Sequence, residues 1–285
     1  MKARLTWLCL LPVLMLAASV QAQIQTNPAQ VDSSEVNAVQ GPLVKGELFE
    51  YSTGGETYQG YLARNVNDKT PRPAVLVVHE WWGLNDYAKS RADQLAALGF
   101  VALAVDMYGQ GQVATHPDEA GAFSSQVMQD WPAARGRLEA AMTKLSEHPA
   151  VADTGMAAIG YCFGGGIVMN MALSGMPIEA AISFHGSPTQ AVKNPQPFEG
   201  IVQIHNGAED PLVKREALTS MAKALKAQGA EVKVVNYPTA THGFTSHEAD
   251  EAAEEYGLPL GYNAAADASS WQAALLALDK ALNDN

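Results

Sequence analysis

The sequence predicts an α/β protein, a doubly wound and mostly parallel sheet preceded by an antiparallel hairpin. Three observations predict it. From residue 74 onward, short runs that are apolar throughout alternate with stretches of helical period. Before residue 70 the pattern is instead a two-residue alternation interrupted by Thr53-Gly54-Gly55. The composition, 47% hydrophobic and 17% charged over 285 residues, can furnish a large core, so disorder is excluded for most of the chain. Strands apolar at every position are buried on both faces, which is the condition of a parallel sheet covered by crossover helices.

Taken in order, Glu47–Tyr51 and Tyr58–Leu62 form the expected hairpin, because a Gly-Gly pair between alternating segments supplies the positive φ values of a tight turn. Ala74–Val78 is a buried strand, Asp86–Leu98 a helix and Phe100–Val105 a strand. Asp118–Glu147 is helical, with Pro132 dividing it. Met156–Tyr161 is a strand followed by a helix over Phe163–Leu173. Ala180–Phe184 and Ile201–Ile204 are strands, Lys214–Gln228 a helix, Glu231–Tyr237 the last strand and Ala266–Leu282 the last helix.

The N-terminus reads as an address. Lys2 and Arg4 precede an apolar run from Leu5 to Ala18, and Val20-Gln21-Ala22 places small residues where a signal peptidase reads. The run is short for a bilayer span of about 20 residues and contains Pro12. Cys9 lies within it, but Thr6-Trp7-Leu8 lacks the small residue of a lipoprotein signal. Residues 1–22 are therefore expected to be a cleaved signal, 23–41 a flexible lead-in, and 42–285 a single domain that is periplasmic or secreted, monomeric, and without stable membrane insertion.

The chain carries 18 Lys+Arg against 30 Asp+Glu. An acidic surface repels phosphate backbones, which argues against a nucleic-acid partner. Two Cys exclude a disulfide scaffold and a four-Cys zinc site. Loss of residues 1–22 removes Lys2, Arg4 and Cys9, moving the formal charge from −12 to −14 and leaving Cys162 as the one thiol.

In a doubly wound sheet, function gathers at the carboxyl ends of the strands. Gly160-Tyr161-Cys162-Phe163-Gly164-Gly165 closes one strand and opens a helix. Glycines two before and two after Cys162 let strand and helix approach, and the thiol stands at a helix N-terminus where the dipole favours thiolate. A buried structural Cys in a Gly-rich turn is the bland reading. Further along, Ile201–Ile204 runs into His205-Asn206-Gly207-Ala208-Glu209-Asp210-Pro211, where Glu209 and Asp210 both offer a carboxylate. The Pro and apolar residues after Asp210 favour it as the one facing the sheet edge. His242, on the loop after the last strand and beside Gly243, completes the order nucleophile, acid, base of an α/β-hydrolase. His79-Glu80-Trp81-Trp82-Gly83 closes the first core strand. Its backbone is placed to give one oxyanion N–H, at Trp81, beside that of Phe163. Glu80 is a carboxylate near the thiol, able to share its proton. No Cys/His/Asp cluster has metal-ligand spacing, so His116, His148, His185, His205 and His247 read as structural.

With Val77–Asn85, Asp106-Met107-Tyr108-Gly109, the Cys162 turn, Gly207 with Asp210, and His242-Gly243-Phe244, the sequence resembles the dienelactone hydrolase family over most of residues 46–285. The resemblance implies an α/β-hydrolase fold and a Cys162–His242–Asp210 triad. It also implies Glu80 as acceptor of the thiol proton, an oxyanion hole at Trp81 and Phe163, and no metal or organic cofactor. Tyr108, Trp82 and Phe244 become candidate pocket residues. Two Arg that hold the substrate carboxylate in this family are replaced by Gln110 and Ser246, so the expected substrate is an ester or lactone without that anionic group. A binding protein that kept the fold is the rival reading, separable by whether Cys162 reacts with a mild electrophile. Thiol redox chemistry lacks a resolving Cys.

Overall fold

The computed structural model describes residues 41–283. The expected signal segment, and the expected lead-in save Gly41, lie outside the described residues. Strands β1 (Val44–Thr53) and β2 (Glu56–Asn65) form the hairpin, turning through Gly54 and Gly55 with φ of 60° and 83°. These are the paired positive values of a type I′ turn. β3 (Arg72–Val78), α1 (Asp86–Ala97), β4 (Val101–Val105), α2 (Pro117–Gln129) and α3 (Trp131–Ser146) follow. Then come β5 (Val151–Tyr161), α4 (Phe163–Leu173), β6 (Ala180–Phe184), β7 (Ile201–Gly207), α5 (Arg215–Ala227), β8 (Glu231–Tyr237), α6 (Glu248–Tyr256) and α7 (Ala264–Asn283).

The eight strands lie in the order β1-β2-β4-β3-β5-β6-β7-β8. β1 and β2 pair antiparallel, as do β2 and β4; the other pairs are parallel. Successive strand residues point to opposite faces. Val75, Val77, Ile159 and Ile182 pack against α1 and α7, while Leu76, Val78, Leu103 and Ala158 pack against α3, α4 and α5. Both faces are thus covered, as the apolar runs predict. Pro132 stands in the first turn of α3, where its missing N–H costs nothing, and Asp130 caps that turn by accepting from Ala133 N–H at 3.1 Å.

The structure departs from the expectation in two places. β8 is an exposed edge strand rather than a doubly buried one, with Val234 37% accessible. α6 occupies acidic sequence in which no helix is expected. Its side chains carry almost no apolar period, only Ala249 being buried, and it ends at left-handed Gly257 with φ 66°. No described helix is long and apolar enough to cross a membrane.

The strand order separates central from edge positions by their cost. Leu103→Ala, at a fully buried site, is expected to lower unfolding free energy by about 2–5 kcal/mol. Val234→Thr on the edge should stay within about 0.5 kcal/mol. Urea unfolding of the two variants measures both, and equal losses would contradict this placement of β4 and β8.

Candidate active site

β5 passes into α4 through one residue. Cys162 has φ 52° and ψ −113°, a conformation that L-residues seldom adopt. Around it the backbone is crowded: a Cβ on Gly160 would overlap Gly164 O, and one on Gly164 would overlap Val78 O and His79 O. Gly164 N–H donates to His79 O at 3.1 Å, drawing the helix start onto the end of β3. Gly166 N–H donates to Cys162 O at 3.2 Å. Phe163 N–H, at the open first turn of α4, forms no hydrogen bond with any described residue, and neither does Trp81 N–H. Cys162 is half-buried beside Trp81 and Tyr108.

Asp210 stands in the turn after β7. Its Oδ1 accepts from Leu212 N–H at 2.8 Å and Val213 N–H at 3.2 Å, leaving Oδ2 to face His242 Nδ1 at 2.8 Å. Glu209, the alternative left open by the sequence, is exposed. His242 is 5% accessible on the loop after β8, which turns at Gly243 with φ 73°. Burial pulls the imidazole pKa down. The negative charge of Cys162, then the Asp210 hydrogen bond and a hydrogen bond to Cys162, push it up to about 10. Asp210 and His242 are therefore joined by a hydrogen bond, with Cys162 near enough to act on the imidazole.

Glu80 is buried, and burial raises its carboxyl to about 7. The His242 charge opposes the rise, Glu248 adds to it, and Arg91 opposes it. The carboxylate lies 3.9 Å from His185 Nε2 and forms no hydrogen bond with Cys162. Its neighbour is thus His185 rather than the sulfur. Tyr108 donates its OH to Trp81 O at 2.8 Å, and its pKa is raised first by burial and then by the charge of Cys162. Its ring packs at a tilt against those of Phe163 and Phe123. Trp82 packs between Trp81 and Tyr256. Phe244 corrects the expectation of a pocket wall: it is wholly buried and packs on His185 and Tyr237. Its aromatic side chain is core because the loop turns it inward beneath His242.

His79 accepts from Met107 N–H at 3.2 Å through Nε2, joining the ends of β3 and β4, and burial lowers its pKa to about 4. His205 bonds Tyr237 OH and Gln203. His205 is structural, as the sequence suggests, and His79 serves the same kind of role. Among the described residues no group of His, Cys, Asp and Glu has the arrangement of a metal site.

Two cavities flank the centre. One of about 300 Å³ is lined by Tyr108, Tyr58, Phe123 and Arg137. The other, about 540 Å³, is lined by Tyr87, Arg91, Thr245, Ser246 and Trp271. Cys162, His242 and Asp210 line neither; the smaller takes in Tyr108 and the larger Thr245 and Ser246 of the loop after His242. Gln110 is exposed with φ 54°, and Ser246 is buried with no partner for its Oγ. Arg91 and Thr245 escaped the sequence reading. Arg91 lies on a helix among ordinary polar residues, and only folding brings it to Thr245 and Asp267.

Comparison with known proteins agrees with this geometry. A model of the dienelactone hydrolase family matches residues 58–282. A protein of Aquifex aeolicus carrying the provisional name carboxymethylenebutenolidase is 29% identical over 212 residues, covering 72% of this chain and 90% of its own length. The solved structure of P91, described as a dienelactone hydrolase-like promiscuous phosphotriesterase from metagenomic libraries, is 32% identical with a TM-score of 0.76, covering 84% of this chain and 99% of P91. The structure named m3DLH is 30% identical with the same TM-score and the same coverage of both chains. An eight-stranded, mostly parallel sheet, a glycine-framed Cys turn and a family match over most of its length together make this chain a hydrolase of the dienelactone hydrolase family.

Proposed function

We propose that the protein hydrolyses carboxylic esters or lactones through an acyl-enzyme on Cys162, as an exported enzyme released by cleavage of residues 1–22. The observation that carries this reading is the 2.8 Å hydrogen bond between Asp210 and His242 Nδ1, on a loop that holds the imidazole near Cys162. In the proposed reaction the Cys162 proton passes to the imidazole, whose pKa, raised to about 10, favours holding it. Cys162 Sγ then attacks the carbonyl carbon, and the oxyanion that forms is received by Trp81 N–H and Phe163 N–H. Such a donor is worth about 3–4 kcal/mol of barrier. The C–O bond breaks, and the alkoxide leaves with the His242 proton.

Acylation removes the negative sulfur, the strongest influence raising His242. The imidazole becomes a base, takes a proton from water and directs hydroxide to the thioester, while Asp210 keeps Nδ1 protonated. Glu80 forms no hydrogen bond with the sulfur, so the thiol proton passes to His242, and the raised carboxyl of Glu80 stands beside His185. Substrates without a carboxylate suit the site, because Gln110 and Ser246 bring no cation to it.

Cys162→Ala is expected to lower p-nitrophenyl ester turnover by at least about 10³-fold. Iodoacetamide should do the same to the native protein; full turnover by the variant would refute the nucleophile. Asp210→Asn should cost about 10²–10⁴ in kcat with little change in KM. A neutral lactone should be turned over faster than a carboxylate-bearing dienelactone, as read by kcat/KM for each.

Glu80 also gives a stability prediction. Its folded pKa, about 7, lies above the unfolded value of 4.5, so the native state binds the proton more tightly. Its contribution to stability falls as pH rises from about 4.5 to 7 and is constant above. Glu80→Gln should therefore gain on the native protein over that window, by at most about 3 kcal/mol. Urea unfolding at pH 4.5 and 8 measures the difference between the two proteins. A difference independent of pH would contradict the shift.

A further inference from the structure

His185 follows β6 directly, with φ 39°, in the left-handed region where a side-chain-bearing residue is strained. It is fully buried. The backbone N–H of Cys162 is shared between Phe184 O at 3.0 Å and His185 Nδ1 at 3.1 Å. A backbone N–H can only donate, so Nδ1 is the acceptor and carries no hydrogen. The ring hydrogen is then on Nε2, which lies 2.8 Å from Thr245 Oγ1. Thr245 Oγ1 in turn bonds Tyr87 OH at 2.6 Å, and Thr245 O accepts from Arg91 Nη2 at 2.7 Å. One edge of the His185 ring meets His242, with centroids 5.1 Å apart at 63°. The same ring therefore touches the residue that bears the sulfur and the imidazole that serves it.

We infer that His185 is a positioning residue, held in one tautomer by Thr245, that fixes the amide of Cys162 and the ring of His242 for the reaction. This inference rests on the reading of Cys162 as nucleophile. A protonated His185 could not accept from Cys162. Burial first, then the His242 charge and Arg91, hold its pKa well below the usual value and keep the acceptor in place. Loss of the acceptor frees a strained amide whose displacement moves both Sγ and the neighbouring oxyanion donor at Phe163.

Four variants test this. Thr245→Val keeps the shape of the side chain and removes the acceptor; Thr245→Ser restores it. His185→Asn keeps an acceptor near the place of Nδ1 and tolerates positive φ. His185→Gln puts its amide near Nε2 instead. T245V and H185Q are expected to lower kcat roughly 10- to 100-fold with KM held within about twofold. The second-order rate of iodoacetamide alkylation at Cys162, read by intact mass, should fall in parallel. T245S and H185N should recover most of both losses. Native kcat and alkylation rate in T245V and H185Q would overturn the inference. So would losses equal in H185N and H185Q that follow only a fall in Tm. Should Cys162→Ala retain ester turnover, the proposed hydrolysis fails by itself, while the alkylation series still decides what His185 does.

Discussion

The abrupt change of direction at Cys162 is the constraint on which the site depends. β5 and α4 are joined with no intervening loop, and this requires helix and sheet to approach more closely than side chains permit. Gly160 and Gly164 make the approach sterically available, and the Gly164–His79 hydrogen bond holds it. The sulfur, the open N–H of Phe163 and the end of β3 with Trp81 are consequently gathered within one turn of backbone. Strain at φ 52° persists because the sheet register and the helix start both oppose its relief.

Proton placement follows from burial acting on unlike groups. Desolvation lowers an imidazole and raises a carboxyl. At His242 two anionic neighbours reverse the effect, whereas at Glu80 the neighbours only moderate it. Burial thus brings the Glu80 carboxyl toward neutrality, whereas the neighbours of His242 carry its imidazole well above it. His185, between them, is held neutral by the same burial.

The loop carrying His242 is anchored from a distance. Arg91 of α1 binds Thr245 O and pairs with Asp267 of α7 at 2.7 Å, beneath the rings of Tyr87, Tyr161 and Trp271. Its buried charge is acceptable because it is paired and covered by aromatic faces. The placement of the His242 loop thus depends on the first turn of α7, more than twenty residues later in the chain, and on α1, early in the domain.

Local chemistry was sufficient to reveal much of this from the sequence. Apolar runs identified the buried strands, Gly54-Gly55 the hairpin, Pro132 the start of α3, and the Gly-framed Cys162 the strand-to-helix turn. His242 and Asp210 were legible by their places after strands. Tertiary structure alone decided the rest. It left Glu209 in solvent, buried Phe244 in the core, exposed β8 at the edge, and formed α6 where apolar periodicity is absent. It also turned His185 from a strand-end residue into a partner of Cys162 N–H. The physical reason is common to all of these. Periodicity and turn chemistry act between neighbours in the chain, whereas burial, edge position and a shared hydrogen bond are set by which distant segments the sheet brings together.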